Sequence, residues 1–142
     1  MKVNIKRIDE SLPLPKYETA GAVAFDLVTR EDVSIKSFEV ALIPCNTIIK
    51  VPKGYMLLVV PRSSTPRKKG LLIPHGIGIV DQDYHGEEDE IKFQALNFTK
   101  KTITVSRGER LAQGVFVPIT KVEFREVKEV GKKSRGGFGS TG

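Results

Sequence analysis

Short stretches of β-forming residues recur along the chain, separated by proline, glycine, asparagine or charged turns. The predicted strands are residues 3–8, 33–35, 39–42, 47–51, 55–60, 77–80, 91–97, 102–105, 114–119 and 122–127. Alternation at 39–43 and 102–105 indicates strands with one buried face, whereas the apolar run 56–60 indicates a strand buried on both faces. Many short strands at this spacing are typical of an all-β sandwich or barrel. The sequence therefore predicts an all-β fold.

The length and the cysteine content limit what else the chain contains. A chain of 142 residues corresponds to one domain, which we expect at residues 1–130. The single cysteine, Cys45, excludes an internal disulfide and a cysteine zinc site, and its apolar surroundings predict burial. No apolar run reaches the ~18 residues of a membrane span, and the N-terminus lacks a signal-peptide pattern. We therefore expect a cytoplasmic protein without a membrane partner.

The charge is positive overall and unevenly distributed. Lys and Arg number 23 against 17 Asp and Glu, a net charge of +6, which favours an anionic partner without choosing between nucleotide and nucleic acid. Residues 61–70 carry four cations and no acid, whereas residues 81–90 carry six acids and no Lys or Arg. If the fold joined these stretches, one would bind phosphate and the other would activate water or hold a metal. Spacing alone favours two solvated turns.

One short helix is predicted directly after Arg62-Ser63-Ser64. Residues 63–70 offer capping hydroxyls, an early proline, basic residues in the last turn and Gly70 as the stop. The start of such a helix would present free backbone N–H groups to an anion. Most capped helices bind nothing, so this segment is a candidate anion site only.

The C-terminal residues 135–142 have an unusual composition. Four of the eight residues are glycine, and Arg135, Phe138, Ser140 and Thr141 stand among them. Glycines let backbone N–H groups approach a phosphate, arginine and hydroxyls bind its oxygens, and an aromatic ring stacks on a base. We predict that residues 131–142 form a flexible arm that orders over a nucleotide, although a frayed terminus is the common alternative.

Five segments together resemble the motifs of the trimeric dUTPase family, in the order that the family has them. They are GAVAFDL (21–27), PRSS (61–64) with Lys68 and Gly70, GIVDQDYHGE (78–87), RGERLAQ (107–113) and RGGFGSTG (135–142). The resemblance covers nearly the whole chain. It implies a jelly-roll-like subunit in a homotrimer, with active sites shared between subunits and the arm closing over a neighbour's site. It also implies hydrolysis of dUTP to dUMP and pyrophosphate, with Mg²⁺ bound mainly by the triphosphate.

The resemblance assigns chemistry to the segment around residue 81. Asp81 would be the general base that orients and deprotonates the water attacking the α-phosphorus, a step in which position matters more than basicity. Tyr84, across a hairpin, would pack beneath the deoxyribose and leave no room for a 2′-hydroxyl. Main-chain groups around Gly76, Gly78 and Ile79 would pair with uracil. Without the other segments, Asp81 and Tyr84 would be read as an ordinary turn and strand tyrosine.

The remaining implied residues would hold the phosphates, the arm and the metal. Substrate-binding residues would be Arg62, Ser63, Ser64, Gln113, Arg135, Gly139, Ser140 and Thr141, with Phe138 against the uracil face. Asp26 would hold waters of the Mg²⁺ shell instead of the ion itself, because Mg²⁺ retains several waters.

Several positions depart from the family pattern, among them Ala22 and the pair Thr65-Pro66. His75 stands where many members carry an asparagine that helps to read uracil. Lys133 occupies the commoner place of the arm arginine, so either Lys133 or Arg135 meets the γ-phosphate. Residues 88–90 lengthen the turn after Glu87, and we expect a solvent-facing bulge there.

Two other functions stay open from the sequence. A dCTP deaminase, or a bifunctional deaminase–diphosphatase, shares the fold and an Arg-Ser-Ser stretch followed by basic residues and Gly-Leu, as at 62–71. The Asp81–Tyr84 segment and the C-terminal arm favour the diphosphatase. The other alternative is a dUTPase-like regulatory protein that binds a protein or nucleic acid. Scattered Lys and Arg, not interleaved with aromatic residues, disfavour nucleic acid.

Overall fold

The computed structural model describes residues 1–131, 133–137 and 139. Its regular secondary structure consists almost entirely of β-strands. The elements are β1 (Ile5–Arg7), β2 (Phe25–Val28), β3 (Val33–Ile35), β4 (Val40–Pro44), β5 (Thr47–Ile49), β6 (Tyr55–Pro61), α1 (Thr65–Lys69), β7 (Leu71–Leu72), β8 (Gly78–Val80), β9 (Lys92–Asn97), β10 (Ile103–Val105) and β11 (Arg110–Pro118). The predicted all-β class and the single short helix are confirmed.

The strands form antiparallel sheets that draw on distant parts of the chain. The largest has the order β2-β11-β6-β8, a second has the order β4-β9-β7, and β1 pairs with β5 as β3 pairs with β10. Among the described residues, no two strands that follow each other in the chain are neighbours in a sheet. The chain therefore crosses repeatedly between sheets, as a jelly-roll-like sandwich requires.

The buried faces of these sheets meet in one apolar core. Its largest fully buried side chains include Phe93, Leu27, Ile43 and Leu57. Burial of each such side chain stabilises the fold by roughly 1.5–3 kcal/mol relative to exposure. Cys45 belongs to this core as predicted, and desolvation raises the pKa of its thiol to about 12.

Three strand predictions need correction. In β6 only Leu57 and Val59 are fully buried, and the other five residues are half-buried, so the strand has one core face and one partly covered face. Strands β2 and β7 were not expected. Residues 122–127 form no strand: Phe124 is 93% exposed, and no backbone among the described residues pairs with the segment. An alternating pattern becomes a strand only where a partner edge is available.

Helix α1 has the predicted proline and stop, but its predicted hydroxyl cap is wrong. Ser64 occupies the N-cap with helical backbone angles and makes no side-chain cap, while the Thr65 hydroxyl donates to the Leu111 carbonyl oxygen at 2.7 Å. Gly70 ends the helix at φ 65°, and a Cβ there would overlap the Thr99 methyl group. Within the described residues, no helix has the length and apolar character needed to cross a membrane.

Candidate functional site

Five of the residues singled out in the sequence line one pocket beside strand β8. This β8 pocket has a volume of about 370 Å³, and His75, Gly78, Ile79, Asp81 and Tyr84 contribute to its walls. Its size lies within the range of small-molecule sites. Gly76 is exposed in the preceding turn, where its N–H donates to the Ile73 carbonyl oxygen at 3.4 Å.

Close packing of two strands positions this pocket. β8 pairs with β6 so that Gly78 lies opposite Val59 and Val80 opposite Leu57. A Cβ at Gly78 would lie 3.2 Å from both the Cβ and the carbonyl oxygen of Val59, so only glycine allows this approach without displacement. β8 is the last strand of its sheet among the described residues, which leaves the backbone groups of its outer edge without a strand partner.

Asp81 follows β8 and leads into a loop rather than a hairpin. β8 and β9 belong to different sheets, so the expected hairpin is absent and residues 81–90, here called the acidic loop, cross between the sheets. Asp81 is exposed, and within the described residues no cation forms an ion pair with its carboxylate. The Tyr84 N–H donates to the Asp81 carbonyl oxygen at 3.4 Å. The carboxylate is thus open to solvent beside the tyrosine ring.

The acidic loop is only partly the solvated turn that its composition suggests. Glu88 is exposed, and Glu87 forms an ion pair with Lys6 that lowers the pKa of Glu87. Glu90, however, is 5% exposed and accepts hydrogen bonds from Arg30 Nε at 2.9 Å and from Arg30 Nη2 at 3.1 Å. The solvent-facing bulge predicted for residues 88–90 is therefore wrong for Glu90, because a buried arginine contact draws its carboxylate inward.

A second group of predicted residues meets at the far end of β6. Arg62 follows β6 and places Nε 2.9 Å from Asp26 Oδ1, while Arg110 Nη1 lies 3.2 Å from Asp26 Oδ2. Gln113 of β11 stands opposite Asp26 on one side and Val60 on the other. Asp26 is only 8% exposed, so its charge is compensated by these two guanidinium groups.

The residues after Arg62 form a positively charged depression around this group. This cationic recess has a volume of about 260 Å³, and Arg62, Ser64, Lys68, Lys69, Glu109 and Arg110 are among its lining residues. Glu109 is the acid of that lining and lies 2.7 Å from Lys69 Nζ. Ser63 is exposed and Ser64 half-buried. The four lining cations exceed the carboxylates that pair with them (Asp26, Glu18 and Glu109) by one, and this net positive charge suits the recess to an anion.

Within one chain, the β8 pocket and the cationic recess are far apart. Val80, which precedes Asp81, pairs with Leu57, and Arg62 lies five positions beyond Leu57. At about 3.3 Å per strand residue, these levels of the sheet are roughly 17 Å apart. Asp81 and Arg62 of the same chain therefore do not reach one phosphate group.

The described residues of the predicted arm line neither the β8 pocket nor the cationic recess. Lys133, Arg135 and Gly139 are described and exposed, and neither the β8 pocket nor the cationic recess is lined by Arg135. Phe138, Ser140 and Thr141 lie outside the described residues.

Sequence reasoning missed Arg110 and the Arg30–Glu90 pair. Arg110 stands three residues before Gln113 in a segment already singled out, so its place in the motif was a usable signal. Arg30 and Glu90 are 60 residues apart, and nothing in the sequence links them.

Comparisons with known proteins show which family the chain belongs to. A family model described as dUTPase matches residues 10–142. The deoxyuridine 5'-triphosphate nucleotidohydrolase of Hydrogenobaculum sp. (strain Y04AAS1) is 41% identical over 145 residues, which cover 100% of this chain and 99% of that protein. The crystal structure of a Streptococcus mutans dUTPase is 36% identical with a TM-score of 0.78, covering 84% of this chain and 98% of its own.

A solved Staphylococcus bacteriophage 80alpha dUTPase with dUPNHPP has the same fold. Its TM-score is 0.87 at 24% identity, and the alignment covers 99% of this chain and 98% of the phage protein. The family model and the full-length relatives make one assignment: the chain belongs to the dUTPase family.

Proposed function

We propose that the chain hydrolyses dUTP to dUMP and pyrophosphate. The observation that carries the proposal is the pairing of an open carboxylate, Asp81, at a nucleoside-sized pocket with a separate cationic recess built from other segments of the family pattern. Full-length relatives named for this substrate support it. A nucleoside triphosphate offers an apolar base and sugar to the first place and several negative charges to the second.

Asp81 is proposed as the general base. Its carboxylate accepts a proton from a water molecule as the water oxygen attacks the α-phosphorus of dUTP. The bond between the α-phosphorus and the α–β bridging oxygen breaks, and pyrophosphate leaves with that oxygen. A positioned general base contributes a rate factor of about 10²–10⁴. The open, unpaired state of Asp81 supports this role, since a carboxylate held by a cation would be less available to water.

The β8 pocket is proposed to select the base and the sugar. The outer edge of β8 offers backbone donors and acceptors near Gly78 and Ile79. A fixed backbone edge distinguishes uracil from cytosine because uracil presents an O4 acceptor and an N3–H donor where cytosine presents an amino donor and an N3 acceptor. The Tyr84 ring, 41% exposed at the pocket wall, would pack beneath the deoxyribose and exclude a 2′-hydroxyl. His75 lines the same pocket and would contact the base.

The cationic recess is proposed to bind the phosphates. Arg62, Ser63 and Ser64 would hold their oxygens, and Gln113 would donate to one of them. Charge-assisted hydrogen bonds of this kind are roughly twice as strong as neutral ones. Arg135, Gly139, Ser140 and Thr141 of the arm would complete the phosphate contacts, and Phe138 would cover the uracil. Residues 1–130 would then be the catalytic domain and residues 131–142 its closing arm.

Mg²⁺ fits this arrangement as an ion carried by the substrate. Among the described residues no cluster of three or more His, Cys, Asp or Glu could hold a metal. Each Asp26 oxygen has an arginine partner but retains a lone pair for a water. Asp26 would therefore contact waters of the ion, and the ion would supply neutralisation of the triphosphate charge.

A homotrimer with shared active sites accounts for the separation within one chain. The Asp81 side of one subunit would lie against the Arg62 side of another, which removes the roughly 17 Å that separate their levels in a single chain. Apolar side chains exposed around the β8 pocket support such a contact: Leu42 is 58% exposed and Ile79 is 62% exposed. Exposed apolar surface of this kind is typical of an interface.

The proposed activity is tested by incubating the purified protein with each deoxynucleoside triphosphate and Mg²⁺ and identifying the products. We expect dUMP and pyrophosphate from dUTP and no ammonia from dCTP. Ammonia release from dCTP would indicate the deaminase, and binding without turnover of any nucleotide would indicate a regulatory protein.

A further inference from the structure

Glu90 is a buried charge at the end of the acidic loop, and the proposed chemistry makes no use of it. Its Oε1 accepts hydrogen bonds from Arg30 Nε at 2.9 Å and from the Asn46 N–H at 2.8 Å, and its Oε2 accepts from Arg30 Nη2 at 3.1 Å. The contact with Glu90 raises the pKa of Arg30. Three donors on one carboxylate hold the Glu90 backbone in a fixed place.

The backbone of Glu90 in turn holds the tyrosine of the β8 pocket. The Tyr84 hydroxyl donates to the Glu90 carbonyl oxygen at 3.3 Å. The next residue is fixed as well, since the Ile91 N–H donates to the Thr47 carbonyl oxygen at 2.9 Å and the Cys45 N–H donates to the Ile91 carbonyl oxygen at 2.9 Å. Glu90 is therefore the point at which the loop joins the rigid β4–β5 connection.

Stability alone does not explain an ion pair at this point. A buried ion pair is often no more stabilising than apolar residues of the same volume, because desolvation offsets the attraction. A bidentate arginine contact does fix geometry, since the planar guanidinium meets the carboxylate in one orientation. The distinctive contribution of the Arg30–Glu90 pair is thus the position that it gives to the loop.

We infer that Glu90 is a positioning residue for sugar selection. It acts by holding the Tyr84 ring at a fixed tilt. The inference rests on the proposed function, in which the Tyr84 ring packs beneath the deoxyribose. Two hydrogen bonds hold Tyr84: its backbone N–H donates to the Asp81 carbonyl oxygen, and its hydroxyl donates to the Glu90 carbonyl oxygen. Loosening the second hydrogen bond lets the ring tilt away and admits a 2′-hydroxyl, so UTP gains relative to dUTP.

The test compares kcat/KM for dUTP and for UTP in Glu90→Gln and Arg30→Lys. Each variant keeps the approximate volume but loses the charged bidentate contact, and we expect the dUTP preference to fall about tenfold, the scale of discrimination from one contact. The matched control is Glu87→Gln, which removes an ion pair from the same loop without touching Tyr84. Its preference should equal that of the unaltered protein. An equal fall in both rates in Glu90→Gln, with the preference kept, would overturn the inference.

A double-mutant cycle separates positioning from general loosening of the fold. Tyr84→Phe removes the hydroxyl that reaches Glu90, and we expect it to reduce the dUTP preference by itself. Adding Glu90→Gln to Tyr84→Phe should then change the preference no further. Retention of the full preference in Tyr84→Phe would contradict the inference even if Glu90→Gln does not fold. Failure of the unaltered protein to release pyrophosphate from dUTP would instead refute the proposed function.

Discussion

The β8 pocket and the cationic recess both draw on the sheet that contains β6 and β8, but they differ in the burial and pairing of their charged groups. The pocket has an unpaired carboxylate, Asp81, exposed apolar walls and a free strand edge. Beside the recess, the buried carboxylate of Asp26 is compensated by Arg62 and Arg110. A surface that selects by shape and backbone pattern is thus separated from one that attracts by charge. Changes in the first should alter selectivity and chemistry, and changes in the second should alter affinity for phosphate.

The largest effect is expected at Asp81. Asp81→Asn keeps the pocket shape but removes the group that accepts the proton, so kcat for dUTP should fall by about 10²–10⁴ while binding of a non-hydrolysable dUTP analogue is retained. Steady-state pyrophosphate release and calorimetry measure the two quantities. Glu88→Gln, an exposed acid of the same loop, is the control and should change kcat little. Loss of analogue binding in Asp81→Asn would assign the residue to binding instead.

Arg62→Gln tests the opposite side of the comparison. A hydrogen bond to a charged group contributes about 1.5–3 kcal/mol, so kcat/KM should fall about 10- to 100-fold, with the preference for dUTP over UTP and dCTP unchanged. The affinity for inorganic pyrophosphate should weaken in parallel. A changed sugar or base preference would show that the two regions are not separate in function.

Gly78→Ala should disturb the β8 pocket without touching the recess. The added Cβ would lie 3.2 Å from Val59, so β8 must shift outward by a few tenths of an ångström. We expect dUMP binding to weaken several-fold, because the shift moves the proposed uracil-reading edge, while pyrophosphate binding is kept. Gly21→Ala, where nothing lies within 4 Å of the added Cβ, is the control. Equal weakening for both products would point to general destabilisation.

The smallest effect concerns the N-terminal segment, where Asp9 and Ser11 contact Arg107. Hydrogen bonds from the Ser11 hydroxyl and Arg107 lower the pKa of the Asp9 carboxyl from 3.8 to about 2. A carboxyl whose pKa is lower in the folded state stabilises the fold at pH values above its pKa in the unfolded state. This contribution is lost as the pH falls through the pKa of the folded state. The Tm difference between the unaltered protein and Asp9→Asn should therefore shrink between about pH 4 and pH 2. A difference that is constant over this range would contradict the assignment.

Local pattern was enough to predict most of the strands, and the family resemblance supplied the candidate residues, but neither shows how they meet. The runs at 33–35 and 55–60 follow from alternation and turn residues, and the motif segments supplied Asp81, Arg62 and Gln113. The pairing of β11 with both β2 and β6, which brings Gln113 beside Asp26, joins segments more than 50 residues apart. Residues 122–127 show the converse limit, since their strand pattern is sound but no partner strand lies beside it in the described chain.

We propose that the two regions act on one substrate only when they come from different subunits. At a dUTP concentration well below KM, Asp81→Asn and Arg62→Gln should each retain no more than about a tenth of the unaltered activity, and mixing them after dissociation and reassembly tests the claim directly. If subunits exchange at random, about one quarter of the sites should combine an intact Asp81 from one subunit with an intact Arg62 from another. We predict recovery of dUTP hydrolysis to about that fraction of the unaltered activity. Activity that stays at the level of the two separate variants, in mixed oligomers shown to form, would contradict a shared site.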